Sequence, residues 1–202
     1  MLTRGQFNIL SSFKKDIFAS LTFKQIKQQS RQKSNNIVQI ALKEFQKQEL
    51  VKRKEIGDVS TYSLNLNNLA LSYLNLINES EINKNGIPRN IMENIKNKVL
   101  DYTEFFILIV FGSYAKNKAT GKSDLDIAII VESEQTKKEV APYLETIKRR
   151  ETITIDYHIF TRNEFLQMLN EEMENVGKQI YKNGITYYGF IKYCNMLRGA
   201  QK

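Results

Sequence analysis

The segment from residue 105 to residue 131 constrains the fold of this 202-residue chain more than any other part of its sequence. It begins with the longest apolar run, residues 105–111, which is far shorter than the roughly 20 residues of a membrane-spanning helix. The run ends at Gly112-Ser113, and ten residues later Asp124-Leu125-Asp126 opens a second apolar run. This pattern predicts two buried β-strands joined by a helix start and a loop.

Acidic residues lie on the polar faces of the predicted strands. Because side chains alternate along a strand, Asp124 and Asp126 share one face. Residues 152–160 alternate in the same way and carry Asp156 on their polar face, with His158 as its packed or hydrogen-bonded neighbour. Adjacent carboxylates repel each other without a cation, and magnesium prefers oxygen ligands. The three aspartates are therefore candidate metal ligands, and Asp156 is also a candidate proton acceptor.

The Gly112-Ser113 pair is suited to holding phosphate groups. Glycine allows close approach of the backbone, and a serine at a helix start offers a hydroxyl and an N–H group to anions. In the following loop, Lys116 and Ser123 are further candidates for nucleotide binding, although a solvated basic loop explains the lysine equally well.

This constellation resembles the DNA polymerase beta-like nucleotidyltransferase superfamily. The superfamily's mark is Gly-Ser, ten residues, Asp-x-Asp and a third Asp on a later strand, and the size and spacing here are most similar to the minimal nucleotidyltransferases of prokaryotes. The resemblance covers residues 88–198. Many members read Gly-Ser-x-Ala-Arg-Gly, whereas this chain has Lys116 and Asn117 in the last two positions. Lysine keeps the positive charge but loses the bidentate fork of arginine.

The resemblance implies an α+β fold, with a mixed sheet and flanking helices. It implies that two magnesium ions are held by Asp124, Asp126 and Asp156, and that the triphosphate is held by Gly112 and Ser113. The reaction would transfer a nucleoside monophosphate from a nucleoside triphosphate such as ATP to a hydroxyl. Minimal nucleotidyltransferases often act as antitoxins that nucleotidylate a partner toxin, so the resemblance also suggests a partner toxin protein.

The positive charge of the chain is concentrated near its amino terminus. Residues 1–65 contain 12 Lys and Arg against 5 Asp and Glu, whereas residues 66–202 contain 18 against 17. Such asymmetry indicates that one part of the chain meets a polyanion. We therefore expect a basic domain at 1–65, a helical linker at 66–87 and a nucleotidyltransferase domain at 88–202.

Three helices and a hairpin are predicted in the basic domain. The helices cover residues 6–15, residues 23–29 and a segment that Ser34 caps, and Gly57-Asp58 separates two extended runs. On the third helix we assign one apolar stripe to Ile37, Ile40, Ala41, Phe45 and Gln48. The opposite face carries Asn35, Asn36, Gln39, Lys43 and Lys47.

This element order resembles the winged helix-turn-helix family of DNA-binding domains. The resemblance implies that the third helix enters the major groove of duplex DNA, with base contacts from Ser34, Asn35, Asn36 and Gln39. Phosphates would be contacted by Lys43, Lys47, Lys52, Arg53 and Lys54. The alternative is a basic helical module that docks on protein or RNA.

Two further functions stay open at this point. One is a DNA-binding transcriptional regulator whose nucleotidyltransferase-like domain only senses nucleotide, and the other is an RNA nucleotidyltransferase. The apolar connecting helices, at residues 68–78 and 89–102, would pack between the domains or form the seam of a homodimer. The amino-terminal segment has no signal-peptide layout, so we expect a cytoplasmic protein without a membrane partner. Cys194 is the only cysteine, which excludes an internal disulfide.

Overall fold

The computed structural model describes residues 1–200, and the chain divides into two compact units, Met1–Ile77 and Asn78–Lys202. The division falls within one long helix, in the part of the sequence that we expected to be a linker. Each unit is described by itself below.

The first unit contains three complete α-helices, a short 3-10 helix, three strands and the amino-terminal part of the helix in which the division falls. In chain order the complete elements are α1 (Arg4–Leu10), the 3-10 helix (Ser11–Phe13), β1 (Leu21–Thr22), α2 (Phe23–Gln29), α3 (Asn35–Lys47), β2 (Val51–Ile56) and β3 (Val59–Leu64). The predicted helix at 6–15 is thus shorter than expected. The α-helix changes to a 3-10 helix at Ser11. The hydroxyl of this serine donates to the carbonyl of Asn8 over 2.7 Å and so competes with the backbone hydrogen bonds of the α-helix.

The strands of the first unit form an antiparallel sheet in the order β1-β3-β2. β2 and β3 pair from Val51 opposite Leu64 to Ile56 opposite Val59, which confirms the predicted hairpin. The turn between them contains Gly57, whose φ of 57° lies in the left-handed region that favours glycine.

Helix α3 corrects one prediction. Its buried side chains are Val38, Ala41, Leu42 and Phe45, while Ile37 and Ile40 are 48% and 56% exposed. The predicted stripe was therefore wrong at both isoleucines. Apolar residues occupy adjacent positions at 37–38 and 40–41, so two helical faces fit the pattern and only tertiary packing selects one.

The second unit contains the remaining helices and a four-stranded sheet. Its elements are the C-terminal part of α4 (Asn68–Lys84), then α5 (Arg89–Leu100), β4 (Ile107–Val110), α6 (Gly112–Ala115), β5 (Leu125–Val131), α7 (Glu134–Arg150), β6 (Ile155–Thr161), α8 (Arg162–Asn170), α9 (Val176–Asn183), β7 (Ile185–Tyr188) and α10 (Phe190–Gly199). Helix α4 is longer than predicted, because the Asn and Lys residues near its end continue the helix to Lys84. No helix within residues 1–200 is long and apolar enough to cross a membrane.

The sheet of the second unit is mixed, as expected, with the order β6-β5-β4-β7. β5 runs parallel to β6, and β4 runs antiparallel to β5 and β7. One face packs into the main apolar core with side chains of α5 and α7, and it includes Leu125, Ile127, Ile129 and Val131 of β5. The alternate residues of β5, beginning with Asp126, point to the other face.

Candidate active site

Two of the predicted acids meet on adjacent strands. Asp126 of β5 and Asp156 of β6 are direct partners in the parallel register. Neighbouring strands lie about 4.8 Å apart, so the two carboxylates project side by side from one face of the sheet. Asp126 is half-buried, whereas the side chain of Asp156 is 58% exposed. The site therefore combines a sheltered acid with one that incoming molecules can reach.

The third predicted acid lies at the edge of this pair. β5 begins one residue later than expected, at Leu125, so Asp124 precedes the strand and is exposed. The N–H of Leu125 donates to the carbonyl of Thr154 over 2.8 Å, which anchors the start of the strand. The charge of Asp124 still raises the pKa of Asp126, so it contributes to the local electrostatics.

Gly112 is required by the position of Asp126. Its φ is 65°, and a Cβ built on it would lie 1.8 Å from Oδ2 and 2.6 Å from Cγ of Asp126. Real Cβ atoms do not approach other atoms so closely. We expected the missing side chain of this glycine to leave room for a phosphate group. In the structure, the Asp126 carboxylate occupies that space.

Ser113 contributes two polar groups with different roles. Its backbone N–H donates to the carboxylate of Asp126. Its Oγ is buried and has no hydrogen-bond partner among the described residues. Buried hydroxyls are nearly always satisfied, so this oxygen requires a partner that the described residues do not supply.

The electrostatics of the site disfavour a bare pair of carboxylates. Burial raises the pKa of Asp126, and the charge of Asp156 raises it further. The Ser113 N–H opposes this rise, and so does His158 to a smaller extent. His158 Nε2 lies 4.0 Å from Oδ2 of Asp156, and its ring stacks on Phe160 at 5.7 Å between centroids. A cation between the aspartates would relieve their repulsion.

The residues between α6 and β5 form an exposed loop. Lys116 is exposed, and Asn117 has a φ of 53°, a left-handed conformation that asparagine tolerates better than most residues. The Oγ of Ser123 accepts the N–H of Thr120 over 2.8 Å and closes the loop. The Ser123 hydroxyl, which we expected to bind the nucleotide, is therefore already hydrogen-bonded to the loop backbone.

One residue that positions the site was not predicted. Asn85 follows α4, and its side-chain Nδ2 donates to the carbonyls of Tyr114 and Ala115 over 3.1 and 2.8 Å. These carbonyls end the short helix α6, so Asn85 holds the segment that begins with Gly112. The sequence gave no signal for this role, since an asparagine before a glycine indicates only a helix end.

The chemistry of these side chains fits magnesium, although they do not form a complete protein cage. Within residues 1–200, no group of three or more His, Cys, Asp or Glu side chains is arranged so that it could hold a metal ion. Magnesium in nucleotide sites is usually bound by one or two carboxylates together with substrate phosphates and water. The Asp126–Asp156 pair supplies such a donor set.

The residues predicted to bind DNA lie on α3 and β2. Asn36, Gln39, Lys43 and Lys47 are exposed along α3, and Lys52, Arg53 and Lys54 are exposed on β2. Ser34 caps α3 by accepting the N–H of Ile37 over 3.5 Å, and Oδ1 of Asn35 accepts the ammonium of Lys27 over 2.6 Å. These two side chains are therefore already engaged within the unit.

A cavity of about 530 Å³ lies at the other end of the sheet. It is lined by the start of β4, the end of β5, the start of α8 and part of α10. None of the predicted active-site residues lines it.

Comparison with known proteins supports the assignment of the second unit. Residues 93–188 match the model of a protein family described as Polymerase beta, Nucleotidyltransferase. The matched range extends from α5 to the end of β7 and includes Gly112, Ser113, Asp124, Asp126 and Asp156. Neither the comparison with curated proteins nor that with solved structures found a match. The family match supports a nucleotidyltransferase domain, and with it nucleotidyl transfer as the general activity.

Proposed function

We propose that the second unit is a metal-dependent nucleotidyltransferase that transfers a nucleoside monophosphate from a nucleoside triphosphate to a hydroxyl acceptor. The in-register pair of Asp126 and Asp156 beside Gly112-Ser113 is the observation that carries this proposal. It combines acidic oxygen donors with an orphaned hydroxyl, as an enzyme that handles a magnesium-bound triphosphate requires.

Magnesium would be held by Asp126 and Asp156, with Asp124 as an additional exposed ligand, and the superfamily resemblance favours two ions. When bound, it would supply positive charge against the negative charge that develops on the phosphate oxygens. The protein's own contribution is to hold Asp126 rigidly through Gly112 and the N–H of Ser113.

The acceptor step assigns a distinct role to Asp156. The hydroxyl oxygen forms a bond to the α-phosphorus, the bond from this phosphorus to the bridging oxygen breaks, and pyrophosphate leaves. The hydroxyl proton passes to the carboxylate of Asp156, which is the more exposed of the paired acids. The ammonium of Lys116 binds the β- and γ-phosphates, and the Oγ of Ser113 joins it once its side chain rotates out of the buried position.

The direct test is transfer of label from an α-labelled triphosphate in magnesium, with Asp156→Asn as the variant. The substitution keeps the shape but removes the anionic base, so transfer should fall by about 10²–10⁴-fold. Asp101→Asn, an exposed aspartate after α5, is the matched control. Undiminished transfer by Asp156→Asn would contradict the assignment. Calorimetry should also show tighter triphosphate binding in magnesium than in chelator.

For the first unit, we propose duplex DNA binding by a winged helix-turn-helix domain. The supporting observations are three helices followed by an antiparallel hairpin, and basic side chains exposed on both α3 and β2. One of the five cations, Arg53, is paired with Glu55 over 2.7 Å, and this exposed pair must open for a phosphate contact. Five cations contacting phosphates then predict a log–log salt slope of roughly −4 for binding by the full chain. Salt-independent binding, or none, would contradict this proposal.

The acceptor is proposed to be a partner toxin protein, on the superfamily resemblance. The full chain should be incubated with labelled triphosphate, magnesium and host lysate, and the labelled product identified. Label on protein supports the antitoxin role, whereas label on RNA favours an RNA nucleotidyltransferase. Triphosphate binding without any transfer would favour a DNA-binding regulator that senses nucleotide.

A further inference from the structure

Two isoleucines of α3 are exposed without a structural reason within the first unit. Ile37 and Ile40 are 48% and 56% exposed, while Val38, Ala41, Leu42 and Phe45 form the buried side of the helix. β-Branched residues are also weaker helix formers than the Lys and Gln residues around them. Neither packing nor helix formation in this unit therefore explains their presence on the surface.

The isoleucines belong to a face with a specific chemical composition. At 100° per residue, Asn36, Gln39, Ile40, Lys43 and Lys47 fall within about a third of the helix circumference, and Ile37 lies roughly 60° beyond Ile40, with the half-buried Glu44 between the two in angle. We call the first five of these residues, together with Ile37, the α3 face. Each of them is exposed, and the only charges among them are the two lysines. Positive charge beside amides and branched aliphatic groups is complementary to the major groove of DNA, and less so to an apolar protein surface.

The bases offer only one apolar group in the major groove, which is the C5-methyl group of thymine. Asparagine and glutamine can form paired hydrogen bonds with N6 and N7 of adenine. We propose that the α3 face reads A·T base pairs, with Ile37 and Ile40 against thymine methyl groups and with Asn36 and Gln39 on adenine. This inference rests on the proposed DNA binding and adds the base class that is recognised.

Hydrogen bonds within the unit reduce the number of side chains that are free to contact bases. The side-chain oxygens of Ser34 and Asn35 accept hydrogen bonds from Ile37 and Lys27, so they are less available to bases. Lys43 and Lys47, one and two turns further along the helix, are left for the phosphate backbone. Base selection therefore depends on two amides and two aliphatic side chains.

The test uses the full chain and a random duplex library, from which the best-bound sequence is recovered. This duplex is then compared with a copy in which every thymine is replaced by deoxyuridine, which removes only the methyl groups. Burying one methyl group is worth about fourfold in affinity, so loss of two contacts should weaken binding roughly 15-fold. The recovered sequence should be rich in A·T pairs.

The variant is Ile37→Ala combined with Ile40→Ala, and the control is Ile191→Ala, an exposed isoleucine of α10. The double variant should bind the thymine and deoxyuridine duplexes equally, with the salt slope of the parent. The control should keep the roughly 15-fold difference. Unchanged melting temperatures exclude unfolding as the cause.

Two negative results are distinguishable. Salt-dependent binding with equal affinity for the thymine and deoxyuridine duplexes would overturn the inference and leave the proposed DNA binding intact. Failure to bind any duplex at low salt would overturn both, and would favour a protein surface as the occupant of the α3 face.

Discussion

Replacing Gly112 by alanine tests the close approach on which the proposed site depends. The new Cβ would lie 1.8 Å from Oδ2 and 3.1 Å from Cβ of Asp126. Rotation of the carboxylate can relieve the first contact but not the second, so α6 must also shift. The rotated carboxylate would lose the hydrogen bond from the Ser113 N–H, which has a charged acceptor.

The expected destabilisation has two parts. An alanine in the left-handed region costs about 1 kcal/mol, since φ at this position is 65°. Loss of a hydrogen bond to a charged group contributes about 1.5 kcal/mol, toward the low end of its range because Asp126 is only half-buried. Gly112→Ala should therefore lower the free energy of unfolding by about 2.5 kcal/mol.

Gly86→Ala is the matched control. Gly86 has a φ of 64°, but nothing lies within 4 Å of a Cβ built there, so only the backbone strain of about 1 kcal/mol applies. Both variants should be measured by calorimetry in chelator, with amide hydrogen exchange of β5 assigning the change to the second unit. In an Asp126→Ala background, the contacts with Oδ2 and Cγ are gone and only the 3.1 Å contact with Cβ remains, so the effect of Gly112→Ala should fall most of the way to that of Gly86→Ala. Equal effects of the two glycine variants in the parent, or unchanged effects after removal of Asp126, would refute the reasoning.

Three further changes have defined outcomes. Asn85→Ala should weaken triphosphate binding roughly fivefold by freeing the end of α6, as measured by calorimetry, whereas Asn90→Ala should not. The pKa of Asp126 is raised in the folded protein. The protonated carboxyl therefore stabilises the fold fully at pH values below the unfolded pKa near 3.8, and this stabilisation is lost as the pH rises through the folded pKa. Asp126→Asn should thus stabilise the metal-free protein at pH 7, by up to about 1 kcal/mol after solvent screening, and no gain should be found in melting curves near pH 3. Asn78→Ala removes both hydrogen bonds to Thr186 and should lower the free energy of unfolding by about 2 kcal/mol in denaturant titrations.

The strands of the site were predictable because burial of one face imposes a period of two on the sequence. The alternation in residues 152–160 identified the polar face that carries Asp156. In β6, Ile155, Tyr157 and Ile159 pack against the main core and Asp156 is exposed, although residues 157–160 are all half-buried. Pairing between strands leaves no such trace. The alignment of Asp126 with Asp156 depends on how α7 returns the chain to the sheet, and no local pattern encodes that length.

Other features escaped prediction because their causes are not local. The exposed isoleucines of α3 could not be separated from its core residues, since both sets have helical spacing. Asn85 and Asn78 act on backbone groups far away in sequence, and a single asparagine looks the same whether it ends a helix or holds a distant carbonyl. Motif spacing was informative because it does not depend on tertiary packing, and residues 93–188 match the nucleotidyltransferase family model.

The contact between Asn78 and β7 also concerns the behaviour of the protein in a crowded solution. β7 is an edge strand, and such strands can pair with strands of other molecules and initiate aggregation. The side-chain amide of Asn78 donates to the carbonyl of Thr186 and accepts its N–H, as a neighbouring strand would. Because Asn78 and Thr186 are only 1% and 4% exposed, α4 covers the middle of this edge, and the Asn78 side chain satisfies the backbone groups that the helix would otherwise bury unpaired. The edge is thus shielded from strands of other molecules for as long as this helix stays packed on it.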